Sequence, residues 1–274
     1  MAQYPRIEDP STVNSIPNDT VKKEVLDYTQ WRIYYDYTIK KKANDPYSIR
    51  NTIALLQIGQ RATVFRDYHS FRTDSMLDVN AKAKRLPSEY INELLKENHK
   101  SQFAHVVAYD RRTKGWTEQQ SVPSEMRSRY SEASIPMAWT TVKGDTLIAE
   151  YKCHKAVAKY RGRDYIAWYT EEINMPYGPY KFYGLPGLVM KVEDTLGHHV
   201  FTFRGMEQVK KYEPIYINSS NLVIRDRETH RKILRNAIEN LSKTITESGR
   251  IQVSKEDRAS LNAKKTPYNP IELE

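Results

Sequence analysis

A single cysteine, Cys153, stands in 274 residues, so the chain can close no disulfide within itself and build no cysteine-based zinc finger. No run approaches the roughly 20 apolar residues that a membrane helix requires, so no span of a bilayer is expected. The sequence also holds no His-Glu-x-x-His and no Cys-x-x-Cys, and its seven histidines are scattered. Neither a metal site nor a cofactor is therefore expected. Gly-x-Ser-x-Gly and Ser-x-x-Lys are missing, which removes the two commonest serine-nucleophile signatures. A phosphate-binding glycine loop is missing too.

What is present is a globular composition, with 39% hydrophobic residues and 43 Lys+Arg against 34 Asp+Glu, a formal charge of +9. A chain of this length can bury the core of one large domain. The basic residues fall in short clusters such as Lys40-Lys41-Lys42 and Lys210-Lys211. Nothing resembles the aromatic signature of an RNA-binding sheet, so the charge reads as solvated, or as attraction to anionic surfaces, and no nucleic acid is expected. The twenty tyrosines suit core strands with wet hydroxyl tips, or a tyrosine-lined groove.

Periodicity gives the organisation. Trp31 to Ile39, Thr52 to Gly59 and Ala62 to Tyr68 read as successive strands. Phe103 to Tyr109 is β-like, Trp116 to Val122 less clearly so, and Pro123 to Ile135 fits either state. From Met137 onward, turns at Lys143-Gly144-Asp145, Arg161-Gly162-Arg163 and Thr195-Leu196-Gly197 separate β-rich runs into hairpins. Between Asp74 and Lys100 the pattern turns helical, with one helix expected at Ser88–Lys96, and helical spacing returns behind Asp226 at Glu228–Lys243. The expected fold is α+β: a predominantly antiparallel, twisted or half-barrel sheet with two packed helices. Residues 1–25 read as a flexible lead-in, 26–249 as one domain and 250–274 as a polar C-terminal tail.

Gly178-Pro179-Tyr180-Lys181-Phe182-Tyr183-Gly184-Leu185-Pro186-Gly187-Leu188-Val189 resembles the signature of the GLPGLI family of bacterial envelope proteins. Three further segments resemble that family's recurrent stretches in the same order: Tyr151 to Ala156, Arg161 to Thr170 and Tyr268 to Leu273. The resemblance implies an exported protein of the periplasm or outer-membrane periphery, its signal peptide removed ahead of Met1. It supplies no catalytic residues. The Trp168 strand, an extended link and the Gly-Leu-Pro-Gly-Leu strand also look like LolA-type half-barrels, which cradle lipid chains.

Gly184, Pro186 and Gly187 have the chemistry of a tight bend that re-aims a strand, and glycine equally permits close approach of a ligand. Trp139, Trp168, Phe182, Tyr183, Leu185, Leu188 and Phe201 are the residues expected to line a core or a groove. In a strand the adjacent Cys153 and His154 point to opposite faces, so they form no dyad; the thiol reads as buried and inert or as reactive. The expected function is non-catalytic: binding of a lipid or peptide, or of an outer-membrane or periplasmic protein, in a concave sheet. An envelope hydrolase assembled from distant residues is the alternative, with His154, Glu171, Asp194 and His199 as suspects. A structural subunit of a membrane-associated assembly is the third reading, marked by a large exposed apolar patch.

Overall fold

The computed structural model describes residues 5–123, 126–247, 254, 260, 263 and 265–274. Its strands are β1 (Lys23–Tyr28), β2 (Trp31–Lys40), β3 (Ile49–Ile58), β4 (Ala62–Asp67), β5 (His105–Asp110), β6 (Gly115–Gln120) and β7 (Arg127–Ala133). There follow β8 (Thr140–Ile148), β9 (Tyr151–Tyr160), β10 (Arg163–Thr170), β11 (Leu188–Asp194), β12 (His199–Gln208), β13 (Pro214–Asn218) and β14 (Leu222–Ile224). The α-helices are α1 (Tyr68–Lys82), α2 (Ile91–Asn98), α3 (Arg227–Glu239) and α4 (Leu241–Glu247).

Twelve strands form one sheet in the order β14-β7-β6-β5-β4-β3-β2-β12-β11-β10-β9-β8, antiparallel except where β14 runs parallel to β7. The sheet is open, since β14 and β8 do not pair with each other. It is nevertheless strongly curled. Eight inter-strand steps of about 4.8 Å separate β7 from β10, roughly 38 Å across a flat sheet. Yet Arg161, in the turn leading into β10, pairs with Glu132 of β7 at 2.9 Å. Bulges at Val142/Asp145 in β8, at Met190 in β11 opposite Trp168/Tyr169, and at Phe203/Gly205 in β12 add twist.

The inner face carries the main core. Ile33, Tyr35, Tyr37 and Ile39 alternate inward along β2, as their period of two predicts, and meet Phe201, Tyr165 and Phe182. Strand β4 is buried on both faces because the separate β1-β13 ribbon covers its back, packing Ile215 and Ile217 on Val64 and Ala108.

Several expectations need correction. The helical stretch expected between Asp74 and Lys100 holds two helices, not one, and the first, α1, starts earlier: its opening Tyr68-His69-Ser70-Phe71 continues the apolar run of β4, and only Asn80 of α1 is buried, so no apolar stripe marks its start. The Asp67 carboxylate, accepting from the His69 and Ser70 amides at 2.8 and 3.2 Å, ends the strand and starts the helix. The expected Glu228–Lys243 helix is two, broken at Asn240. Lys143-Gly144-Asp145 is no turn but lies at the β8 bulge; the chain reverses at Ala149-Glu150, whose φ angles of 48° and 70° suit a tight hairpin. The C-terminal residues 265–274 are polar, but the stretch does not hang free: Ile271 and Glu272 are buried.

Candidate functional site

The segment between β10 and β11 lies inside the curl of the sheet and fills much of it. Phe182 packs on Tyr165 and Phe201, with ring centroids 4.7 and 6.1 Å apart, while Tyr180 meets Phe65 and His105 from the far limb at 6.2 and 5.5 Å. Between these two rings comes Lys181, whose side chain is wholly buried. Its ammonium lies 3.0 Å from Glu118 Oε2, 3.0 Å from Glu132 Oε1 and 2.9 Å from Glu272 Oε1, and donates to the Tyr130 hydroxyl at 3.0 Å. Burial alone would push this lysine down; the carboxylates of Glu118 and Glu272 outweigh it and hold it well above its ordinary value. Arg227 completes the balance with bonds to Glu272 and proximity to Glu132.

Three of the four segments that resemble the GLPGLI family, Arg161 to Thr170, Gly178 to Val189 and Tyr268 to Leu273, meet here. Arg163 bonds to Asp194 at 3.0 Å, to Asn269 Oδ1 at 2.7 Å and to the Pro270 carbonyl at 2.6 Å. Tyr165 donates to the Ile271 carbonyl at 2.6 Å, and Tyr180 to Glu272 at 2.7 Å. The closing residues are thus fastened between β10 and the inner segment.

Beside this network is a cavity of about 610 Å³. Tyr37 and His199 floor it from β2 and β12, His105 and Glu118 from β5 and β6; α3 roofs it with His230, Leu234 and Ile238, and residues 266–272 close one side. Phe103, Lys41 and Lys42 lie on the opposite rim. His199 Nδ1 is 2.8 Å from the Tyr37 hydroxyl and His230 Nδ1 is 2.8 Å from Ser128 Oγ. The Nε2 atoms of His105, His199 and His230 are buried without a hydrogen-bond partner.

Burial depresses all three imidazoles, His105 to about 4, and so keeps them neutral in the folded protein. The unfolded chain takes up protons near 6.5 while the folded chain does not. Stability is therefore expected to be flat above that value and to fall from about pH 6.5 toward 4, with His105 alone contributing about 3 kcal/mol over the window. Urea midpoints measured at pH 7 and pH 5 check this.

The expected groove residues do not form one site. Phe182, Leu185, Leu188 and Phe201 are buried core. Trp139 donates to the Tyr183 carbonyl at 2.9 Å, and Tyr183 packs against Tyr109 and Trp116 at the edge of the main core. Trp168 points to the other face of β10, over Lys155. None of the seven lines the cavity. The hydrolase suspects are dispersed as well. His154 bonds to Asp145 at 2.9 Å on the exposed side of β9, Glu171 is exposed, and Asp194 is occupied by Arg163 and the His199 amide; only His199 reaches the cavity. Cys153 is fully buried, and burial pushes its thiol up, which fits the inert reading. Among the described residues no group of three or more His, Cys, Asp or Glu could hold a metal.

Sequence reasoning missed Lys181, Glu118, Glu132, His105 and His230. One signal was available: a lysine at the centre of the Gly178–Val189 signature, flanked by Tyr180 and Phe182, is a charge inside an apolar run.

No protein-family model matches the chain, and no curated protein does. Two solved structures of PNGF-II are similar to it. The one in space group C2 shares 16% identity over 77% of this chain and 33% of that one, at a TM-score of 0.50; the one in P21 shares 15% over 77% and 34%, at 0.49. The chain thus spans about a third of those proteins, and at this identity the likeness bears on the fold alone.

Proposed function

We propose that the chain is a non-catalytic exported protein of the bacterial envelope whose half-barrel sheet takes a small lipid-like or peptide-like ligand into the cavity beneath α3. The observation that carries this reading is the cavity itself. Its volume of about 610 Å³ falls inside the roughly 300–1,000 Å³ range of small-molecule sites. Its walls pair an apolar side, of Phe103, Leu234, Ile238 and Ile271, with a few converging polar atoms, the composition such sites share. The envelope location is supported by the resemblance of the four segments, two of which, through Tyr180 and residues 268–272, reach the wall of this cavity. A protein partner has no comparable surface arguing for it, so the small ligand is preferred.

Leu234 projects from α3 into the cavity and is nearly fully buried. Leu234→Trp is expected to fill the space and weaken retention of an apolar fluorophore such as 1-N-phenylnaphthylamine by at least about tenfold, with the fold kept. Equal fluorophore binding by both proteins would remove the cavity from the account. Cell fractionation that found the protein with cytoplasmic markers would remove the envelope.

A further inference from the structure

The hairpin of β2 and β3 runs past the end of β4. Its pairing continues to Lys40 and Ile49, whereas β4 pairs with β3 only as far as Ala54. The tip, residues 40–50, is turned by Asp45, whose carboxylate accepts from the Tyr47 amide at 2.9 Å, and by Arg50, which donates to the Tyr47 carbonyl at 3.2 Å. It holds apolar side chains out in water: Tyr47 is 90% exposed, the largest figure for any large apolar side chain among the described residues, and Ile49 is 46% exposed. The same tip carries Lys40, Lys41, Lys42 and Arg50 against one carboxylate, Asp45, which lies 3.7 Å from Lys42. Lys40, Lys41 and Arg50 form no ion pair among the described residues, and the side chains of Lys41 and Arg50 reach only backbone carbonyls. Burial and the Arg50 guanidinium push the Lys41 ammonium down against the pull of Asp67, so two like charges are held near each other at an exposed tip. An anion from outside relieves that repulsion. Lys41 and Lys42 also stand on the rim of the cavity, so whatever meets the tip meets the cavity mouth.

Resting on the reading that the cavity takes a lipid-like ligand, we infer that this tip docks the protein on an anionic lipid bilayer, with Tyr47 and Ile49 entering the interface and the four cations against the headgroups. A tyrosine ring is amphipathic and settles at headgroup depth. Each cation near an anionic leaflet strengthens binding by about fivefold. A nucleic acid would use the charge and stack on Tyr47 but has no counterpart for Ile49, whereas a bilayer interface takes charge, tyrosine and isoleucine together. Docked in this way, the protein presents its cavity mouth to the membrane from which an apolar ligand is drawn.

The test is co-sedimentation of the full chain with phosphatidylcholine vesicles made with and without phosphatidylglycerol. Binding is expected only where phosphatidylglycerol is present, and is expected to weaken at least about tenfold when salt rises from about 0.1 M to about 0.5 M. Arg50→Gln is expected to lose about fivefold, Lys41→Gln combined with it about 25-fold, and Arg50→Lys almost nothing, since it keeps the charge. Tyr47→Ser is expected to lose several-fold with the salt dependence kept. The control is Lys210→Gln with Lys211→Gln, an exposed pair beyond the opposite end of β2, where Gln208 pairs with Trp31; it is expected to bind as the unaltered protein does. An equal loss in that control would assign binding to the overall charge and overturn the tip. Capture of polyglutamate in place of vesicles would overturn the bilayer in favour of an acidic protein segment. Fluorophore binding, measured without vesicles, separates the two readings. A protein that binds 1-N-phenylnaphthylamine but no vesicle overturns the docking surface alone, and one that binds vesicles but no fluorophore overturns the cavity alone.

Discussion

Lys181→Met is expected to destabilise the protein by about 3–5 kcal/mol, the usual cost of removing one member of a buried charge network. Three carboxylates converge on the ammonium at 2.9–3.0 Å, and methionine would leave Glu118 and Glu272 buried beside each other with only Arg227 and Arg231 to offset them. The effect should be the largest of any single polar substitution, because Lys181 joins four parts of the fold. Glu118 lies on β6, Glu132 on β7 and Glu272 in the closing segment, while Lys181 itself comes from the link between β10 and β11. Adding Glu272→Gln to Lys181→Met should return part of the loss, since it removes one of the stranded charges. Denaturant unfolding of the single and double variants measures both numbers.

Gly187→Ala is expected to cost about 3–4 kcal/mol, and Gly184→Ala only about 1–2 kcal/mol. Both glycines have positive φ, +140° and +94°, so each substitution strains the backbone. The difference lies in the space around them. A Cβ at Gly187 would stand 2.0 Å from the Thr170 carbonyl oxygen, the end of β10, whereas a Cβ at Gly184 meets nothing within 4 Å. Gly187 is thus the close approach that lets the inner segment tuck against β10 before β11 begins, and Gly184 only sets a turn. Thermal unfolding of the two variants side by side reads the ratio. Similar losses in both would mean that the signature glycines act through backbone freedom alone.

Much of the sheet was legible because its strands are half-buried and alternate cleanly. Ile33, Tyr35, Tyr37 and Ile39 announce β2, and Tyr165, Ala167 and Tyr169 announce β10, each by a period of two. The stripe of Ile233, Leu234, Ala237 and Ile238 announced α3 in the same way. The short β1 and β13, the opening of α1 and the placement of the closing segment were not legible. Each is held by contacts remote in sequence rather than by its own pattern. Tyr216 of β13 finds Asp74 of α1 at 2.8 Å across 142 residues, and Lys181 finds Glu272 across 91.

The site was partly legible for the same reason. The aromatic and leucine residues near the signature carry a local apolar signal, which correctly marks Phe182, Leu185 and Leu188 as core but says nothing of which surface stays open. The cavity is built from single contributions of distant strands, with His105, His199 and His230 spread over 125 residues. Isolated histidines of this kind have no motif, and only the fold brings them round one space.

The central claim is that the cavity beneath α3 holds a small lipid-like or peptide-like ligand. Native mass spectrometry of the full-length protein, isolated gently from the envelope of the cell that makes it, tests this most directly when run beside Leu234→Trp. The account predicts one small lipid-sized or peptide-sized adduct on the unaltered protein and a bare Leu234→Trp protein. A bare unaltered protein, or the same adduct on both, would contradict it.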